Sequence, residues 1–426
     1  MQRIAEAHDL TTIIRTGKHL KAYLLRRAKH VPTLRDDVES WATDLPKIAT
    51  EFGVNLLDTP SAIHALVAPL CPRNSMIYRQ FSTKSENLID GIQLQGLSYS
   101  DWHDRISCIY FRNQISKAIA CRDHRFVIEL SDGMIELYKT SSCEHVRHFR
   151  HGETVRILQF GDSAQKLASA GLRSIKLWDA GAGSCLLNIA METNPMALAF
   201  DEEQKLIITG TRSKEVVTWY TDNVVVASHY VWDDRLPGRT PTNVVISMEH
   251  KLMALIYRGL PVNMWCIDTQ QLLGACSRPS TSSNRVDTFH GTTSVVFNPN
   301  PDVWLLAVAY WDGELALNDT LRRDLKHSIT SDAQTLAVSP DGRTLAGGST
   351  NGKVQLYDFE TLQLLHDITL SGSNVAALTF ESDNLRFLDL RGSQTNVWEP
   401  SILVRKDFDD RNSEPSDAVV SAVRAE

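Results

Sequence analysis

Residues 153–179 read ETVRILQF, then GD, then SAQKLASAGL and RSIKLWD: three short apolar runs set between polar turns, closing on Trp178-Asp179. Runs of this length with apolar and polar residues alternating are half-buried strands. A single copy is too small to bury a core. The closing run and its last bulky side chain recur in IELYK (Tyr138), VVTWY (Trp219), VNMWC (Trp265), LALND (Leu317), VQLYD (Tyr357) and TNVWE (Trp398). From Tyr138 through Trp178 to Trp398 the steps are 40, 41, 46, 52, 40 and 41 residues. A period near forty with three or four strands per unit marks the blades of a β-propeller. The fold class is therefore mainly β, a seven-bladed propeller preceded by a short α-helical segment. The seven anchors are expected to fill the space between blades as packing groups, not as ligand-stacking groups.

The repeat overrides the prior of about three domains that 426 residues would suggest, because seven blades close into one domain of roughly 300 residues. With 42% apolar and 22% charged residues, the chain has the composition of an ordinary globular protein. A net charge of -7 gives no global attraction to nucleic acid or acidic membranes, and neither is expected as a partner. Seven scattered cysteines without a CxxC pair fit a reducing, cytoplasmic setting. The apolar run 303–311 is far shorter than the roughly 20 residues of a membrane helix.

Residues 1–72 read as an amphipathic helical arm. Ile4, Leu10, Ile13, Ile14, Leu20, Leu24 and Leu25 lie near helical spacing, and Leu34, Val38, Trp41, Leu45, Ile48 and Phe52 define a second helical face. Pro46 is expected to kink or divide that second helix. A third helix is expected from Pro60 through Ala68, ended by Cys71-Pro72. Residues 73–102 read as an irregular linker, 103–408 as the propeller and 409–426 as a flexible tail. The strand that closes the propeller comes either from 103–111 (HDRISCIYF) or from 402–408. Asp132-Gly133, Asp312-Gly313, Asn351-Gly352 and Ser339-Pro340-Asp341-Gly342 are hairpin turns. Insertions at 277–288 and 298–302 make the fourth and fifth blades irregular.

Trp178-Asp179, Tyr357-Asp358 and the SPDG turn resemble WD repeats, although the usual Gly-His dipeptide is absent. WATDLPKIATEFGVNLLDTPSAIHALVAPLCP (Trp41 to Pro72), LSYSDWHDRIS around Trp102 and RHGETVRILQFGDSAQKLASAGLRSIKLWD (Arg150 to Asp179) resemble the C-terminal half of fungal NACHT and WD-repeat proteins. Those are STAND-type, NOD-like-receptor-like signalling proteins related to vegetative incompatibility factors, and the likeness spans residues 10–408. It implies a recognition propeller that follows a helical arm and, in the intact family, a NACHT nucleoside triphosphatase before the arm. No GxxxxGK[ST] loop occurs here: Gly17-Lys18 is followed by His19 on a predicted helix, with no strand to build a phosphate cradle. The resemblance then implies a truncated relative, or a module that pairs with a separate NACHT-type protein.

No constellation of residues supports catalysis, a metal or a cofactor. His145, His148 and His151 are three apart on a predicted outer strand and its turn, where odd spacing alternates faces; they are expected as solvated surface groups. One pattern suggests binding. Turns between second and third strands open on one face of a propeller, and there the chain carries Arg173, Arg212, Lys214, Arg258, Lys353 and Arg391. Guanidinium and ammonium groups on a common rim suit an acidic protein or peptide. The expected function is non-catalytic protein recognition or scaffolding in a NACHT-like signalling system; the alternative is a general intracellular adaptor for a ubiquitin-ligase or trafficking assembly.

Overall fold

The computed structural model describes residues 32–52, 59–61, 67–81, 102, 104–111, 114–140, 143–232, 236, 238–276, 291–369 and 373–404, with single positions at 13, 16, 17, 19, 20, 23 and 56. Most of the first expected helix, most of 60–68, the insertion 277–288 and the tail lie outside the described residues.

Seven four-stranded antiparallel sheets form the propeller. Blades one to six each run inner to outer in chain order, over Ser116–Arg150, Ile157–Ala190, Pro195–Val231, Asn243–Ala275, Thr292–Thr330 and Ala333–Thr369. Blade seven takes three strands from Ala377–Trp398, and its outer strand is Arg105–Tyr110 from the other end of the domain. The N-terminal candidate is thus the closing strand, paired with Gln394–Trp398; residues 401–404 form a helical turn instead. Inner strands touch their neighbours right round the ring, and the last meets the first. Such closure encloses the inner strand edges around the axis, where they are short and protected.

Tyr138, Trp178, Trp219, Trp265, Tyr357 and Trp398 sit on the third strands of their blades, each buried against the preceding blade, whereas Leu317 packs the other way, in one cluster with Leu345 and Tyr357 of blade six. Trp178 of blade two lies in one cluster with Ile135, Leu137 and Phe149 of blade one. Tyr357 of blade six packs with Leu315 and Leu317 of blade five, and Trp398 packs with Val354 and Leu356 of blade six. In blades one to six the pairing of third and outer strands shifts register at one equivalent place, as between Leu177 and Trp178; in blade five that place is Leu317/Asn318, so Asn318 and not the expected Leu317 occupies the anchor position. A bulge adds local twist, and here it recurs at the same place in six blades. Gly133, Gly313 and Gly352 take φ of 78°, 83° and 85° in their hairpin turns, the left-handed region where a side chain is strained.

Two expectations for the arm are corrected. The helix Pro32–Glu51 runs unbroken through Pro46. Gly17 lies against that proline, where a Cβ would fall 2.6 Å from its Cγ, so Gly17 serves close helix packing. A helix, Met76–Phe81, lies inside the stretch expected to be an irregular linker. Its first donors are satisfied from far away: Asp44 accepts the backbone N–H groups of Met76 and Ile77 at 2.6 and 3.3 Å, and the Trp102 indole N–H at 2.6 Å. Burial raises the Asp44 carboxyl above its usual range, against those three donors. The long helix also packs against the closing strand, so arm and propeller are joined where the ring closes.

Candidate protein-interaction face

The turns between second and third strands and the connections from each outer strand to the next inner strand open on one face, here the upper face. Backbone bonds tie the two sets together: His151 donates to Gly133, Met191 to Arg173, Trp232 to Lys214 and Ser331 to Gly313, all at 2.8 to 2.9 Å.

Of the six cations expected on this rim, the structure leaves three as exposed guanidinium groups. Arg173, Arg212 and Arg258 occupy equivalent turns of blades two, three and four. Among the described residues no carboxylate pairs with their guanidinium groups. Glu153 instead accepts the backbone N–H of Arg173, which contributes to holding this carboxyl below its usual range, together with the Ser174 hydroxyl and against burial.

The other three are corrections. Arg391 ends the second strand of blade seven and turns inward; its side chain is fully buried and ion-paired with Asp389 at 2.6 Å, and it donates to the Gly352 carbonyl at 2.7 Å. Lys353 is paired with Asp367 of its own blade at 2.7 Å. Lys214 donates to the Leu236 carbonyl at 2.8 Å and lies 5.5 Å above the Tyr257 ring, drawn in by the connection from blade three to blade four. A turn position alone does not show which way a long side chain points. Sequence reasoning also missed Arg156 and Arg239, both exposed in connections on this face, and Trp311, 64% exposed in the matching turn of blade five.

His151 is the clearest correction among the histidines. It is buried, with Nδ1 2.9 Å from the Ser169 hydroxyl and Nε2 3.1 Å from the Ser174 hydroxyl, while the Trp178 indole N–H donates to Ser169 at 2.8 Å. Imidazole, hydroxyl and indole thus link the connection, the second strand and the third strand of blade two. The residue sits in the connection after the strand, so strand alternation did not apply to it. Burial and the Lys176 ammonium push the imidazole down to about 4 from an ordinary 6.5. The sign follows: between those values the unfolded chain binds a proton that the native state refuses, so this contribution is full above pH 6.5 and is lost as pH falls through 4. Glu129, pushed up to about 7 by burial, works in the opposite direction, so the effect is to be read as a difference. The cost of His151→Asn is expected to be largest near pH 7 and to shrink by about 3 kcal/mol toward pH 4. Paired denaturant titrations across that range measure it; a pH-independent cost would mean a solvated imidazole.

On the lower face, His124, Glu381 and Asp383 bring an imidazole and two carboxylates within 4.8 Å of one another. Glu381 lies 2.5 Å from His124 Nδ1 and 3.7 Å from Arg386 Nη1, and Arg386 is paired with Glu399 at 2.7 Å. Arg386 supplies a cation to two of these carboxylates, Glu381 and Glu399, and the His124 ring bonds Glu381 across the seam between blades seven and one.

Residues 326–383 match the family model described as the anaphase-promoting complex subunit 4 WD40 domain, a span running from the outer strand of blade five into blade seven. Over 242 residues, 54% of this chain, the sequence is 24% identical to proteins named pre-mRNA-processing factor 17 from Homo sapiens and Mus musculus. The propeller is a WD40 repeat domain. The chain spans 39% of the length of those relatives. The first of these matches is to a WD40 domain by its description, and the likeness to fungal NACHT proteins rests on the quoted sequence stretches alone. The His151, Ser169 and Trp178 bonds occur within the best-preserved blade of this WD40 domain, and blade seven replaces them by Asp389, which accepts from the Trp398 indole at 3.0 Å and the Asn396 amide at 2.6 Å. No described helix is long and apolar enough to cross a membrane.

Proposed function

We propose that this WD40 domain is a non-catalytic scaffold that receives an acidic segment of a protein partner on its upper face, with Arg173, Arg212 and Arg258 as the contacting cations. The observation that carries the reading is their recurrence: three exposed guanidinium groups, in equivalent turns of three consecutive blades, without carboxylate partners among the described residues. On a chain of net charge -7 such an arc is a local exception, and guanidinium forks suit carboxylates. Arg173→Glu, Arg212→Glu and Arg258→Glu together are expected to weaken binding of a fluorescent polyglutamate peptide at least about tenfold, with the wild-type affinity falling as salt rises. Equal anisotropy titrations for wild type and the triple variant would remove the proposal.

The names of the relatives favour the adaptor form of this reading, a rigid disc inside a larger assembly such as one that processes pre-mRNA, in the nucleus as readily as in the cytoplasm. A second reading, a recognition module of a separate NACHT-type signalling protein in the cytoplasm, draws on one feature: the arm helix packs directly on the closing strand, as a module that relays binding to a neighbour requires. Affinity capture from the source cells separates the two. Recovery of a NACHT protein supports the second, and recovery of pre-mRNA-processing, ligase or trafficking subunits supports the first.

A further inference from the structure

On the lower face two turns meet across the seam where the ring closes. The hairpin Asp123-His124 joins the first two strands of blade one, with φ of 48° and 61°. Opposite it, residues 381–386 form a turn in which the Glu381 and Asn384 N–H groups donate to the Arg386 and Glu381 carbonyls at 2.9 and 3.1 Å. The Asp123 N–H donates to the Ser382 hydroxyl at 3.0 Å and fixes one turn against the other. An imidazole nitrogen of His124 and a carboxylate oxygen each of Glu381 and Asp383 thereby lie within 4.8 Å of one another. Motif spacing cannot reveal this set, because His124 and Glu381 are 257 residues apart.

The two carboxylates are short of positive charge. Glu381 is fully buried, with Oε1 2.5 Å from His124 Nδ1, and its Oε2 accepts no hydrogen bond. Arg386 lies 3.7 Å from that oxygen and is shared with Glu399 at 2.7 Å. Asp383 accepts the backbone N–H groups of Leu385 and Arg386 at Oδ1, at 2.9 and 3.2 Å. Among the described residues no bond uses its Oδ2 and no cation pairs with it. Burial, and then the Asp383 charge, raise the Glu381 carboxyl above its usual range against Arg386 and His124.

We propose that His124, Glu381 and Asp383 bind a divalent transition-metal ion of the zinc class, which ties blade seven to blade one. One imidazole with two carboxylates is a donor set for Zn2+, whereas Ca2+ and Mg2+ take oxygen. Tetrahedral zinc holds its ligand atoms about 3.4 Å apart, so side-chain adjustments of about 1 Å bring Nδ1 and Oε1 to that distance. The proton between them leaves when the metal takes its place. The His124 side chain is 56% exposed, which gives the ion its entry and leaves a fourth position to water. The backbone donors to Asp383 orient that ligand.

Isothermal titration of the chelator-treated full chain with zinc chloride tests the site. One ion per chain is expected, with a dissociation constant at or below about 10 µM, and about 1 mM zinc is expected to raise the melting temperature by at least about 2 °C. His124→Asn and Asp383→Asn are each expected to raise the dissociation constant at least tenfold. Asparagine tolerates the left-handed backbone at 124 and keeps the Oδ1 acceptor at 383, and circular dichroism checks both folds. His148→Ala removes the competing surface imidazole, whose ring lies 6.3 Å from that of His145, and is expected to leave binding unchanged. Magnesium is expected to bind at least tenfold more weakly than zinc. No zinc binding up to about 1 mM overturns the proposal. So does binding that survives both asparagine substitutions, that His148→Ala abolishes, that magnesium matches, or that leaves the melting temperature unchanged.

Discussion

Replacing Trp178 by alanine is expected to lower the unfolding free energy by about 3 to 5 kcal/mol and the melting temperature by about 5 to 8 °C for a domain of this size. Two losses combine. The indole lies in the joint between blades one and two, with its ring centroid 5.5 Å from that of Phe149, and its removal leaves a cavity that rigid strands on both sides fill poorly. Its N–H also supplies one of the bonds to Ser169, which holds His151 from the other side. Trp311→Ala is the control: the same residue type, 64% exposed in a turn, is expected to change stability by no more than about 0.5 kcal/mol. Equal melting curves for Trp178→Ala and the wild type would mean that the anchor is not between blades, and the register of all seven repeats would fall with it.

The propeller was legible because its signal is repeated. A large aromatic side chain at the end of a third strand recurs in six blades, whereas in blade five spacing alone placed the anchor one residue early, at Leu317, where the register gives Asn318. Where a feature depended on one distant contact, the sequence was silent. The helix Met76–Phe81 is capped by Asp44, more than thirty residues earlier, so no local cap announced it. Pro46 breaks the local rule for helices, yet the helix continues with Gly17 packed close against the ring. His151 looked like one of three regularly spaced surface histidines, whereas the chain turns just before it and carries it into the joint. The candidate rim shows the same division. Sequence periodicity located the turns, but the direction of Lys214, Lys353 and Arg391 is decided by what lies across the sheet from them.

Arg391 makes that distinction measurable. Its guanidinium is enclosed in blade seven, held by Asp389 through Nε at 2.8 Å and Nη2 at 2.6 Å and by the Gly352 carbonyl of the neighbouring blade. Asp389 in turn accepts from Asn396 and Trp398. Arg391→Ala leaves that carboxylate buried without its counter-charge, and breaking one side of a buried pair is expected to cost about 3 to 5 kcal/mol. Removing the charge as well should recover part of the loss: in Arg391→Met with Asp389→Asn, the neutral amide oxygen keeps one of the two donors, Asn396 or Trp398, which donate to different oxygens of the carboxylate, and the coupling energy of the cycle is expected to be about 1 to 3 kcal/mol. Arg173→Ala, exposed on the upper face, is expected to leave stability within about 0.5 kcal/mol of wild type. The two arginines therefore separate by assay, Arg391 moving the denaturation midpoint and Arg173 moving the affinity for an acidic peptide. Should Arg391→Ala keep wild-type stability and lose peptide affinity, Arg391 would belong to the recognition rim, and neither its ion pair with Asp389 nor its bond to the Gly352 carbonyl of blade six could be a structural tie.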